Sequence, residues 1–157
     1  MATARIGIKC KTYYNTGNFG APSWSELAGV GDETLTITQT EAVGTGRDSP
    51  VEETEPTIPQ VEITGKIRKD SNATGYANLA SSFWGRSQID VLALDGNGAS
   101  VAAEGVRYIA KNFDWTEDRA MNGVVFKNYK LKPCVGSNFT YATSVGNLSN
   151  ITYSTPG

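Results

Sequence analysis

Val61-Glu-Ile-Thr-Gly-Lys-Ile-Arg-Lys-Asp-Ser-Asn-Ala-Thr-Gly-Tyr-Ala-Asn-Leu-Ala-Ser-Ser-Phe-Trp-Gly85 changes its period half-way along. In the first third, Val61, Ile63 and Ile67 alternate with Glu62, Thr64, Lys66 and Arg68, the two-residue period of a half-buried strand. Beyond it Tyr76, Leu79, Ala80, Phe83 and Trp84 fall at i, i+3, i+4, i+7 and i+8, one apolar helical stripe. Asp70-Ser71-Asn72 supplies N-cap chemistry and Gly85 a C-terminal cap, so the spacing predicts a helix over about 71–84. Gly75 weakens its first turn by roughly 1 kcal/mol relative to alanine, so packing has to hold it. The sequence predicts no other helix.

Strand patterns flank this stretch on both sides. Arg5 to Tyr13 alternates, with Ile6, Ile8, Cys10 and Thr12 against Lys9, Lys11 and Tyr13. A turn-rich loop, Asn15 to Ser23, precedes a short strand over Trp24 to Val30. Gly31-Asp32 then predicts a turn, and Thr34 to Ala42 alternates through Leu35 and Ile37. On the C-terminal side, Ile89 to Leu94 is a nearly continuous apolar run broken by Asp90, which predicts a central strand. Asp95-Gly-Asn-Gly98 is a strong turn signal. Val106 to Trp115 and Val124 to Leu131 give two more strands, separated by the polar turn Glu117 to Gly123. Six or seven strands and one helix predict a mainly β fold, a sandwich or small barrel with the helix on its flank.

Two segments stand apart. Residues 43–58 carry two prolines, two glycines and almost no periodicity, which predicts a long loop within a β-domain spanning residues 1–134. Arg47 is its one cation; Asp48, Glu52, Glu53 and Glu55 make it net −3. Long loops in compact domains serve contacts or stay mobile, so this one is a candidate intersubunit contact, with Arg47 opposing acidic side chains. Residues 135–157 hold no charged residue, yet contain Phe139, Tyr141, Val145, Leu148, Ile151 and Tyr153. That composition suits an arm lying on another subunit, with those six side chains as its contacts, or an added edge hairpin of the same domain.

Composition excludes several classes. At 157 residues, 39% hydrophobic and 19% charged, the chain fits one globular domain. A net charge of −2 argues against general nucleic-acid affinity, which needs clustered lysine and arginine. Histidine is absent, removing the commonest general base and zinc ligand together. The two cysteines, Cys10 and Cys134, are expected as free thiols of a protein made in a reducing cytoplasm, since Met-Ala-Thr-Ala-Arg-Ile lacks an apolar signal core. No stretch approaches membrane-spanning length, so no membrane partner is expected. Glu52-Glu53 and Glu117-Asp118 read as solvated charge, because successive strand residues face opposite ways. Asp95-Gly-Asn-Gly98 lacks the further carboxylates of a calcium loop, and Gly44-Thr-Gly-Arg47 lacks phosphate-loop spacing. No catalytic constellation, metal site or cofactor is expected, and the chain reads as a non-enzyme. Trp24, Trp84 and Trp115 could instead stack on a carbohydrate, but each also reads as core.

The ordered set of segments resembles the bacteriophage tail tube proteins. It comprises Tyr14 to Trp24, Val30 to Ile37, the acidic loop, Val61 to Gly65, the helix ending near Trp84, Ile89 to Gly96, Val106 to Asp118, and Lys130-Leu-Lys-Pro133. The resemblance covers residues 5–133 and implies a structural subunit of a virion tail. Six copies would form a ring with joined inner strands, and rings would stack into a hollow conduit for viral DNA. The implied partners are copies of the chain itself, other tail proteins at the tube ends, and DNA passing without specific binding. A carbohydrate- or receptor-binding β-domain, a tail terminator and a decoration protein are the alternatives.

Overall fold

A computed structural model of the chain describes residues 10–44, 54–96, 101–134, 139–145 and 151–154. In chain order these form β1 (Lys11–Asn15), β2 (Trp24–Glu26), β3 (Val30–Val43), β4 (Thr54–Arg68), α1 (Thr74–Gly85), β5 (Ile89–Leu94), β6 (Val101–Asn112), β7 (Glu117–Asp118), β8 (Phe126–Pro133), β9 (Thr140–Val145) and β10 (Ile151–Ser154). One antiparallel sheet runs β2-β1-β5-β6-β8-β4-β3, with β7 beside β8 and the β9–β10 hairpin branching from β6. The fold is mainly β with a single helix among the described residues.

β5 is buried on both faces, which explains why its sequence is a continuous apolar run rather than an alternation. Val91 and Ala93 point into the larger core with Ile63, Ile67, Tyr108, Tyr129 and Leu131. Leu92 and Leu94 point the other way, into a smaller cluster with Tyr13, Trp24 and Ala142. Helix α1 closes the larger core with Leu79, while Tyr76, Ala80 and Phe83 pack at its margin. A Cβ at Gly75 would lie 2.7 Å from Leu27 Cδ1, so the glycine costs helix propensity but lets the helix seat without displacing the Leu27 side chain.

Several sequence expectations are corrected. β1 starts at Lys11 among the described residues, residues 1–9 lying outside them, and Tyr13 is buried along with Thr12 and Tyr14. The chain turns at Gly29, with φ 79°, and not at Gly31-Asp32, which sit inside β3 at a register shift. The second strand is accordingly only three residues long. Residues 54–58, assigned to the loop by sequence, belong to β4, where Thr54 pairs with Val43. The helix begins three residues later than expected, with Ala73 as an N-cap that makes no side-chain bond; Asp70 instead closes the preceding turn by accepting the Asn72 amide. Gly85 is the last helical residue, and the left-handed position falls on Arg86, with φ 56°. Trp84 is 75% exposed rather than core. Eight residues place it about 80° around the helix from Tyr76, beyond the covered stripe.

β6 starts at Val101 and ends at Asn112, so Trp115 packs from the following loop. The predicted turn 117–123 contains β7, whose Glu117 pairs with Lys127. With β9 and β10, the count rises to ten strands among the described residues.

Candidate assembly surface

The sheet is left open along β3. This 14-residue strand pairs only with β4, so its outer row of backbone amides and carbonyls has no strand beside it among the described residues. The register places Leu35 opposite Ile63 and Ile37 opposite Val61. Partners in an antiparallel pair share a face, so Leu35 and Ile37 lie on the core side of the sheet. Ile63 and Val61 are almost wholly buried, whereas Leu35 and Ile37 are 40% and 45% exposed. The core face therefore continues onto the edge strand and stops there uncovered.

The same edge extends outward. β8 covers β4 only from Ile63 to Arg68. Beyond that, Thr36 to Val43 and Thr54 to Glu62 run on as a two-stranded ribbon. Pro56 and Pro59 sit in this section, where β4 has one open side and its register against β3 shifts between them, both places in which a sheet tolerates proline. A two-stranded ribbon standing alone is marginal in water.

The opposite end of β3 is anchored. Glu33 crosses to accept hydrogen bonds from Thr12 Oγ1 on β1 and from the Tyr129 hydroxyl on β8. Burial, reinforced by the Glu33 carboxylate, pushes the Tyr129 and Tyr108 hydroxyls well above the usual tyrosine range, so both remain protonated donors. The Tyr108 hydroxyl donates to the Leu131 carbonyl at 2.9 Å. Between β1 and the start of β3 the curled sheet leaves a groove of about 830 Å³, lined by Lys11, Thr12, Asp32, Glu33, Leu35 and Glu104 among others. The curl approaches a barrel without closing.

On the smaller-cluster side, Arg107 binds Asp90 through Nη2 at 2.6 Å and Nε at 3.1 Å, a diagonal pair across β5 and β6. Its Nη2 also donates to the Phe19 carbonyl at 2.8 Å. The guanidinium sits 4.0 Å from the Phe19 ring centroid, 4.7 Å from Tyr153 and 5.1 Å from Trp24. Asn15 donates to Asp90 and accepts the amides of Gly17 and Ser23, so the loop 16–23 hangs from the same ion pair.

The structure distributes the sequence-selected residues unevenly. Arg47, Asp48, Glu52 and Glu53 lie outside the described residues, and Glu55 is on β4 opposite Ala42. In the C-terminal segment, Phe139 packs at the margin of the larger core and against Tyr141, which is 47% exposed. Ile151 and Tyr153 pack on the smaller cluster, where the Tyr153 hydroxyl accepts a bond from Trp24 Nε1 at 3.1 Å. Val145 pairs with Val101, and Leu148 lies outside the described residues. The sequence reading missed Arg107 and the exposure of Leu35 and Ile37. Alternation marked Leu35 and Ile37 as one face, but nothing local says that their strand is an edge.

Among the described residues, no group of three histidine, cysteine, aspartate or glutamate side chains is placed to hold a metal ion. No described helix is long and apolar enough to cross a membrane.

Neither a protein-family model nor a curated protein matches this sequence. Solved structures do match. The SPP1 tail tube, from solid-state NMR and cryo-EM, superposes with a TM-score of 0.68 at 9% identity over 87% of this chain and 78% of that one. A chain in the tail of the empty gene transfer agent particle, refined with helical and C6 symmetry, gives 0.65 at 11% identity, covering 87% and 99%. A chain of the six-fold symmetrised baseplate of the anti-feeding prophage gives 0.54 at 11% identity, covering 87% and 97%. At such identities the shared property is architecture, and this chain is built on the tail-tube fold of SPP1 and of the gene transfer agent tail.

Proposed function

We propose that the chain is a structural subunit of a phage-type tail, self-assembling into hexameric rings that stack into a hollow tube. The observation that carries this reading is the uncovered core face of β3 on a tail-tube fold. Leu35 and Ile37 belong to the hydrophobic layer but lack a lid. An open edge of this length is an aggregation liability unless a defined partner pairs with it, and closure of a symmetric ring supplies that partner. The C6 symmetry of the gene transfer agent tail supports six copies per ring.

In this reading residues 43–58, with Arg47, Asp48, Glu52, Glu53 and Glu55, reach an adjacent ring. The exposed ring of Tyr141 meets a neighbour, while Phe139, Ile151 and Tyr153 hold the C-terminal segment to its own domain. Other tail proteins cap the tube ends, and viral DNA passes through without being held. The subunit works as a wall and carries out no chemistry.

Negative-stain electron microscopy of the purified chain tests the reading. Six-fold rings or hollow filaments are expected. Single compact particles at every concentration would refute it, and binding of such a monomer to a glycan array would favour a carbohydrate-binding domain.

A further inference from the structure

Most of the described lysines sit beside a carboxylate. Lys11 Nζ lies 2.9 Å from Glu26, Lys66 Nζ 3.3 Å from Asp118 and Lys132 Nζ 3.3 Å from Glu62. Arg119, Lys127 and Lys69 share Glu117 and together hold its carboxyl down at about 2. Lys111 and Lys130 differ. Among the described residues neither has a carboxylate within ion-pair distance.

The topology sets these two beside a third. Ala110, Asn112 and Leu131 are buried on the core side of the sheet, so Lys111, Phe113, Lys130 and Lys132 point to the opposite side. Lys111 is the direct cross-strand partner of Lys132, with Cβ atoms about 5 Å apart. The Phe113 amide donates to the Lys130 carbonyl at 2.8 Å, which continues the pairing and brings Phe113, 56% exposed, opposite Lys130. On the other flank Lys130 partners Thr64, Thr64 partners Thr34, and Thr36 partners Glu62. The patch thus holds Lys111, Lys130 and Lys132 against Glu62, net +2. Asp114, next after Phe113, is turned to the Thr116 amide and hydroxyl, and Asp32 lines the groove beyond Thr34.

Like charges directly opposite each other destabilise a sheet, so this gathering is a cost to folding that an anionic partner relieves. Lys130 and Lys132 stand about 6.6 Å apart along β8, a row that a phosphate backbone can follow. Threonine hydroxyls flank the row as neutral phosphate donors, and the bare Phe113 ring offers a surface to sugar or base. Hydroxyls and an aromatic ring favour a nucleic acid over an acidic polypeptide. We infer that this face, with Lys111, Lys130 and Lys132 at its centre, contacts nucleic-acid phosphates without reading sequence. The inference rests on the tail-tube reading only in making the face part of a channel wall; the binding belongs to the single chain. Composition hid the face, because the whole chain is net −2 and only strand order collects these lysines. Three phosphate contacts do not hold a polymer. At a slope of about −0.9 per contact, a tenfold rise in salt weakens binding roughly 500-fold, so each subunit touches and releases.

Fluorescence anisotropy of a short labelled duplex DNA, titrated with the purified chain between about 0.02 M and about 0.2 M NaCl, tests this. The affinity should fall with a log–log slope of about −2 to −3. Each of Lys111→Gln, Lys130→Gln and Lys132→Gln should reduce that slope by about 1, and the triple variant should lose binding at least tenfold at the lowest salt. Lys11→Gln, away from the patch, should bind as the parent does. The triple variant should melt no lower than the parent, since it relieves like-charge contacts; if it does melt lower, the single variants carry the test. An unchanged slope in the lysine variants overturns the inference. So does polyglutamate that competes as well as DNA at equal charge, which would make the patch a surface for acidic polypeptide. A chain that forms no rings under negative stain refutes the tail-tube reading, and a lysine-dependent slope in that same material still supports this face.

Discussion

The centre of the sheet and its β3 edge break opposite rules. At the centre a charge is buried: the Arg107 side chain is 5% exposed and Asp90 11%. Yet the guanidinium is fully engaged by a carboxylate, a carbonyl and three aromatic rings. At the edge nothing polar is misplaced, but Leu35 and Ile37 are left on an uncovered core face. The first exception is resolved within one chain and therefore belongs to folding. The second has no resolution among the described residues, and in the proposed function it belongs to assembly. Mutations should separate the two.

The largest effect on the isolated chain is expected at the centre. Arg107→Ala leaves Asp90 buried without its cation and frees both the Phe19 loop and β10, so it should cost about 3–5 kcal/mol, read from urea denaturation. A loss below about 1 kcal/mol would mean that the loop and hairpin do not depend on the pair. Next comes Ser82, whose hydroxyl donates to the Ser87 carbonyl at 2.7 Å and accepts the Asn112 amide at 3.0 Å. Ser82→Ala should cost about 1–3 kcal/mol by stranding both groups, with helix α1 melting together with the sheet.

The acid response is smaller. The folded Glu117 carboxyl titrates at about 2, below its ordinary 4.5. A depressed carboxyl stabilises above the unfolded value, and that contribution fades as pH falls from about 4.5 to about 2. Glu117→Gln should flatten this part of the melting-temperature profile and leave the neutral region nearly unchanged.

The smallest effect on folding is expected at the edge. Leu35→Ser/Ile37→Ser removes two half-exposed side chains and should change the stability of the isolated chain by less than about 1 kcal/mol. Sedimentation should nonetheless show ring formation lost. If the double variant unfolds instead, these residues complete the chain's own core and the comparison fails.

How much of this was legible follows from what periodicity encodes. The 2.0 and 3.6 periods marked the strands and the helix because burial imposes them residue by residue. β5 was readable as central because both of its faces are apolar. Periodicity names a face and never a neighbour. Asp90 was visible as the flaw in an apolar run, but its diagonal meeting with Arg107 depends on the β5–β6 register. Leu35 and Ile37 looked like core for the same reason. They are on the core face, and only the strand order shows that the sheet ends there. Pro50, Pro56 and the lost periodicity made the start of β4 read as loop, although a strand with an open side or a register shift can hold a proline. Trp84 was misplaced because an eight-residue step had rotated off the covered stripe.

Amide hydrogen exchange on assembled and dissociated material tests the central claim most directly. The account predicts that the outward-facing amides of β3 between Thr34 and Gln39, those not turned toward β4, become protected on assembly, while those of β5 exchange equally slowly in both states. If the β3 amides exchanged at one rate in rings and in single subunits, the open edge would not be the surface on which copies join.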